Sequence, residues 1–153
     1  MWTVKDYQFM SRAIQLAKRG QYTCDPNPIV GCVITKNDCV VAEGWHKLSG
    51  NSHAEINALN ICEDSEGSTM YVTLEPCTYQ GKTPPCVDAL VDAKVKTVII
   101  SMVDPNPKVS GLGISRLKQA GILVKEGLLE SETKKTEYWF YKKNDTGSAI
   151  YHL

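Results

Sequence analysis

The chain has 153 residues, of which 42% are apolar and 22% charged, proportions that argue against a disordered chain and suit one globular domain. Its 17 Lys and Arg balance its 17 Asp and Glu, so the formal net charge is zero. That balance argues against a nucleic-acid binder and leaves room for a small anionic substrate held by one or two cations.

Tyr7, Met10, Ala13, Ile14 and Ala17 recur at helical spacing, and Gly20 stops that first helix. The turn-rich Cys24-Asp25-Pro26-Asn27-Pro28 opens into an apolar, β-branched run, Ile29 to Thr35, which reads as a buried strand. Lys36-Asn37-Asp38 turns it into a second strand, Cys39 to Glu43, as a hairpin. A helix from Ala54 to Ile61, a strand from Met70 to Leu74 and a helix from Pro85 to Ala93 follow. The rest alternates: strand Thr97–Ser101, helix Gly113–Ala120, strand Ile122–Lys125 and helix Glu130–Tyr141. The order predicts an α/β, three-layer α/β/α sandwich, with a five-stranded, mostly parallel mixed sheet that begins in a hairpin.

No signal-peptide core is present, nor any apolar run of about 18 residues that spans a bilayer. The expected location is the cytoplasm, where thiols stay reduced. Six cysteines there serve as metal ligands or small buried groups rather than disulfides. Cys24, Cys32, Cys39 and Cys62 are expected to be buried apolar groups.

Two segments carry chemistry: His53-Ala54-Glu55, and Pro76-Cys77 followed nine residues later by Cys86. One imidazole and two thiolates supply three ligands to a tetrahedral Zn2+, with the fourth position open to water. Zinc makes water a nucleophile near neutral pH, suited to attack on an amidine-like carbon of a nitrogen heterocycle. Glu55, two residues beyond His53, reaches that water without being a ligand and serves as the catalytic proton carrier. This division of labour is that of the zinc deaminases, with their H-x-E and P-C-x-x-C elements. Each isolated feature has a plainer reading, as a buried cysteine or a surface histidine. Their joint occurrence at helix starts and a strand end favours an open metal site over a structural one.

The chain resembles the deaminase domain of the bacterial riboflavin-biosynthesis deaminase/reductase, a member of the cytidine deaminase-like superfamily. The resemblance runs from about Phe9 to Leu153. It rests on P-N-P-I-V-G-C-V-I (26–34), G-W-H (44–46), H-A-E-I-N-A-L (53–59), Y-V-T-L-E-P-C (71–77), G-K-T-P-P-C (81–86) and D-P-N-P-K-V-S-G-L-G (104–113). It implies hydrolytic deamination of 2,5-diamino-6-(5-phosphoribosylamino)pyrimidin-4-one to the 5-amino uracil, with one Zn2+ per chain.

The substrate-binding positions carried over by the resemblance are Asn27, His46, Ala54, Tyr79, Lys82, Thr83, Asp104 and Asn106. Lys82 would meet the phosphate as a point charge, Thr83 as a hydroxyl donor, and Asn27 would read a heterocycle edge. Asp104-Pro105-Asn106-Pro107 also has the composition of a simple turn. Tyr79 and Gln80 depart from the family, which usually places histidine at the first position and histidine or tyrosine at the second.

Residues 1–145 are expected to be the deaminase domain, and 146–153 a tail resembling the start of the linker to a reductase domain. With no such domain following and no G-x-G-x-x-G, no NADPH is expected. The expected partners are the small phosphorylated pyrimidine and further copies of the chain in a homo-oligomer, without nucleic acid or membrane. Two competing readings are a deaminase of another small base, nucleoside or nucleotide, and a catalytically silent zinc-stabilised binding module.

Overall fold

Strand alternation dictates the architecture. On β1 (Gly31–Lys36), Cys32 and Ile34 face one side of the sheet and Val33 the other. On β3 (Thr69–Leu74), Met70 and Val72 oppose Tyr71, and on β4 (Thr97–Met102), Val98 and Ile100 oppose Ile99. Both faces are therefore apolar, and both must be covered by helices. The computed structural model describes residues 1–24, 27–81 and 84–143, the side chains of 138–143 excepted.

One face packs against α1 (Val4–Lys18) and the approach to α5 (Glu130–Lys143), burying Phe9, Met10, Ile14 and Leu128 with Tyr71. The other packs against α2 (Ala54–Ile61), α3 (Cys86–Asp92) and α4 (Leu112–Gln119). The sheet is completed by β2 (Cys39–Trp45) and β5 (Leu123–Glu126), in the order β2-β1-β3-β4-β5. The sheet is open, and the predicted three-layer sandwich is the fold observed.

Of the five strands, β1 alone runs against the others, pairing antiparallel with both β2 and β3. The β3–β4 and β4–β5 pairs are parallel. The β1–β2 turn takes Asn37 and Asp38 through φ of 52° and 60°, the left-handed pair that matches the twist of a two-residue hairpin. Strand limits lie within about two residues of those expected, and α2 spans Ala54–Ile61 as predicted. Among the four cysteines expected in the core, Cys24 and Cys32 are buried, whereas Cys39 is exposed at the outer end of β2.

Close packing fixes where α2 sits. A Cβ at Gly44 would come within 2.5 Å of the Ala54 carbonyl oxygen and 2.6 Å of the Ala58 nitrogen. Only glycine lets β2 approach the first turns of α2 this closely. Among the described residues no helix is long and apolar enough to cross a membrane.

Candidate active site

Four connections meet at the end of the sheet where β3 and β4 finish and β1 begins. The first is the Asn27–Val30 approach to β1, and the second is the Trp45–His53 loop into α2. The others are Glu75–Pro85 between β3 and α3, and Val103–Gly111 between β4 and α4. This is the end at which parallel strands place binding residues. His53 is the N-cap of α2, Cys77 follows β3 closely, and Cys86 opens α3. The topology thus brings together three donors separated by up to 33 positions.

His53 Nδ1 lies 3.2 Å from Cys86 Sγ and 3.7 Å from Cys77 Sγ, and the three donor atoms fall within 4.8 Å of one another. The Cys86 backbone N–H donates to Cys77 Sγ at 3.3 Å. The Cys77 thiol is held below its ordinary range, first by the hydrogen bond from the Cys86 thiol and then, against burial, by His53. Cys86, the other half of that pair, is pushed up. His53 is raised, chiefly by its bond to Cys77.

Glu55, in the first turn of α2, is 3% exposed, and burial pushes its carboxyl up to about 7. Glu55 lines a cavity of about 130 Å³ with His53, Cys77, Asn27, His46 and Asp104. Asn27, His53, Cys77 and Tyr79 also line an adjoining cavity of about 320 Å³, whose far wall is Ser49-Gly50-Asn51. Tyr79 is 57% exposed at the rim.

His46 is buried with both ring nitrogens engaged. Nδ1 lies 3.1 Å from the Ser52 carbonyl oxygen, which can only accept, and Nε2 lies 3.1 Å from Asn27 Nδ2, which donates. These partners specify the neutral Nδ1–H tautomer. Burial lowers the His46 pKa and outweighs the opposing Ser52 bond. The ring therefore fixes the Asn27 amide at the cavity wall.

Among the other expected positions, Ala54 is fully buried at the start of α2. Asp104 is half-buried, with burial raising its pKa. Asn106 is not brought to the described cavities. Its Oδ1 accepts from the Lys108 backbone and its own N–H donates to Asp104 Oδ1 at 2.9 Å, so it shapes the turn its composition allows. Lys82 and Thr83, like residues 146–153, lie outside the described residues.

Residues 3–102 match the family described as the cytidine and deoxycytidylate deaminase zinc-binding region. The chain belongs to that family. It is 54% identical over 145 residues to a diaminohydroxyphosphoribosylamino-pyrimidine deaminase of Buchnera aphidicola, a match covering 94% of this chain and 99% of that protein. It is also 50% identical over 151 residues to the riboflavin biosynthesis protein RibD of Escherichia coli, covering 98% of this chain and 41% of that one. RibD of Acinetobacter baumannii superposes with a TM-score of 0.88 at 49% identity, covering 94% of this chain and 40% of that one. This deaminase thus spans almost the whole of the Buchnera relative and about two fifths of the RibD proteins.

The family implies a metal, and the donor set fits one. Zn–N and Zn–S bonds in tetrahedral geometry put nitrogen and sulfur about 3.6 Å apart. The observed separations of 3.2 and 3.7 Å bracket that span.

Two residues that hold the site have no conspicuous signal in the sequence. Glu75, 6% exposed, accepts from the backbone N–H groups of Asp104 at 3.0 Å, Gly111 at 3.1 Å and Ile114 at 3.2 Å. One carboxylate thereby binds the loop after β4 and the first turn of α4 to the strand that delivers Cys77. Asn57 donates to the carbonyl oxygens of Trp45 at 2.8 Å and Ser52 at 3.3 Å, fixing the loop that carries His46. The E-P-C and H-A-E-I-N elements contain both residues, yet only burial separates their role from that of a surface polar group.

Proposed function

We propose that this chain removes an amino group hydrolytically from 2,5-diamino-6-(5-phosphoribosylamino)pyrimidin-4-one in riboflavin biosynthesis, giving the 5-amino-6-(5-phosphoribosylamino)uracil and ammonia. The observation that carries this reading is the buried Glu55 carboxyl beside the His53, Cys77 and Cys86 donors, at the floor of a cavity walled by Asn27 and His46. The named activity of the Buchnera relative, nearly equal in length to the match, supports the choice of substrate.

In this reading His53, Cys77 and Cys86 hold one zinc per chain. The metal, when bound, supplies the Lewis acidity that makes water nucleophilic at neutral pH. Glu55 takes a proton from the attacking water, hands it to a ring nitrogen, and then helps protonate the departing amine. The neutral His46 ring holds Asn27 so that its amide presents a donor and an acceptor to the pyrimidine edge. Asp104, anchored through Glu75, meets the ring or its substituents, and Tyr79 covers the rim. The larger adjoining cavity accommodates the phosphoribosyl arm, with Lys82 and Thr83 as its phosphate ligands.

Residues 1–145 form the deaminase domain, working in the cytoplasm as a homo-oligomer, and the reaction needs no NADPH.

Ammonia release by the purified, zinc-quantified protein with this diaminopyrimidine phosphate tests the reading. Turnover that disappears in Glu55→Ala supports both the reaction and the proton carrier. No release at one zinc per chain, alongside turnover of cytosine or guanine compounds, overturns the substrate assignment.

A further inference from the structure

A third buried glutamate lies behind the substrate cavity, and its surroundings differ from those of Glu55 and Glu75. Glu137 on α5 is 1% exposed, and neither carboxylate oxygen has a hydrogen bond of ordinary geometry. One turn earlier, Thr133 shares a 2.6 Å buried hydrogen bond with Ser101, which pins that face of α5 to β4. Residues four apart share a helix face, so Glu137 also points inward.

Its neighbours place it under the approach to β1. The Ile29 backbone N–H offers it a weak bond, and it lies close enough to interact with the Cys24 thiol, which burial pushes up to about 11. That segment holds the Asn27 wall of the cavity. The Cys24 thiol donates to the His46 carbonyl oxygen at 2.6 Å, and the Asn27 N–H donates to the Cys24 carbonyl oxygen at 2.6 Å. Cys24 and Ile29 form one small apolar cluster with Ala17 of α1. A shift of Ile29 or Cys24 therefore moves both members of the Asn27–His46 pair.

We propose that Glu137 is a positioning residue for the Asn27 wall, acting as an uncharged hydrogen-bonding group behind the Ile29 backbone rather than as a carboxylate. The proposal rests on the reading of Asn27 as a substrate contact. Its physical basis is the absence of compensation among the described residues. Every side chain that α1 buries is apolar, β4 carries no ionisable side chain, and among the described residues of the 24–29 segment the titratable group near Glu137 is the Cys24 thiol. An ionised carboxylate in such surroundings neutralises rather than persists. A neutral carboxyl resembles an amide in offering both a donor and an acceptor. Ionisation would draw the group toward water and disturb the segment above it, so affinity for the pyrimidine is lost on the alkaline side.

The test compares wild type, Glu137→Gln, Glu137→Leu and Asn27→Ala as zinc-loaded full chains. KM and kcat for the diaminopyrimidine phosphate are measured from about pH 6 to about pH 9, the range into which burial carries glutamates. Leucine fills the space without the hydrogen-bonding group, and is expected to raise KM about tenfold with kcat within about twofold. Glutamine is expected to keep the wild-type KM at the acid end and to abolish the rise that wild type shows at the alkaline end. Equal KM values for the Leu and Gln variants, or superimposable pH profiles for wild type and Gln, would overturn the proposal.

Asn27→Ala separates the two ideas, because a KM unchanged in that variant overturns the reading of the wall itself. A substrate-free measurement then decides the Glu137 assignment. The Ile29 amide resonance should show a titration step in wild type that is missing in Glu137→Gln, and the same step in both proteins would refute it.

Discussion

The floor and the walls of this cavity are built on different principles. The floor comes from regular structure: His53 caps α2, Glu55 sits in its first turn, Cys86 opens α3, and Cys77 follows β3. Each floor residue is placed by an element that packs directly on the sheet. The walls come from connections: Glu75, itself part of the cavity lining, ties down the loop after β4, and Glu137 is the residue proposed to support the Asn27 segment. Glu75 is saturated by three backbone N–H groups, whereas Glu137 has no ordinary hydrogen bond. The contrast separates chemistry from affinity: damage to the floor should abolish turnover, and damage to the walls should loosen binding or stability.

The largest effect tests the floor. Glu55→Ala is expected to retain one zinc per chain and to lower kcat by at least about a hundredfold, the lower range for a general acid–base group. Ammonia release and metal analysis on the same preparation check it. Loss of zinc together with activity would erase the separation between proton carrier and metal ligands on which the floor's description depends.

Next in size is the wall after β4. Glu75→Ala strips the acceptor from three backbone N–H groups at once, and an unsatisfied buried donor costs ~1–3 kcal/mol. We expect a loss of ~3 kcal/mol in urea unfolding, with a raised KM as Asp104 loses its anchor. Glu75→Gln retains one oxygen, and its loss should be smaller. If Glu75→Ala unfolds within about 0.5 kcal/mol of wild type, as an ordinary surface substitution does, the wall after β4 is not held by Glu75.

The sequence is a good guide to the floor and a poor one to what holds the walls, for a physical reason. Helix α2 and the start of α3 follow from local periodicity and from proline at a first turn, and the topology brings together His53, Cys77 and Cys86, the candidate donors read from spacing. The antiparallel β1–β3 pairing is set by which apolar edge is available after folding, so alternation alone does not specify it. Glu75 and Glu137 read as ordinary polar residues because burial is a tertiary property. At Asn106, a position implied by resemblance, the side-chain oxygen accepts from the Lys108 backbone N–H, a loop contact that spacing in the sequence does not specify. Cys39 is exposed because the outer end of β2 has no helix over it, a fact of layer geometry rather than of cysteine chemistry.

The smallest effect concerns the wall on Glu137, and its sign follows from proton binding. Burial raises the folded-state pKa of Glu137 well above its unfolded value, which for glutamate is about 4.3. Between those two values the folded chain binds more protons than the unfolded chain, so stability from this group falls as pH rises. Glu137→Gln removes that slope, because the amide does not titrate. The melting temperature of the Gln variant relative to wild type should therefore climb with pH, by a few degrees in total for a domain of this length. At the acid end both side chains are neutral and the difference should be least. A difference that stays constant across pH would mean that Glu137 is solvated or paired in the folded protein, and both walls would then rest on satisfied carboxylates.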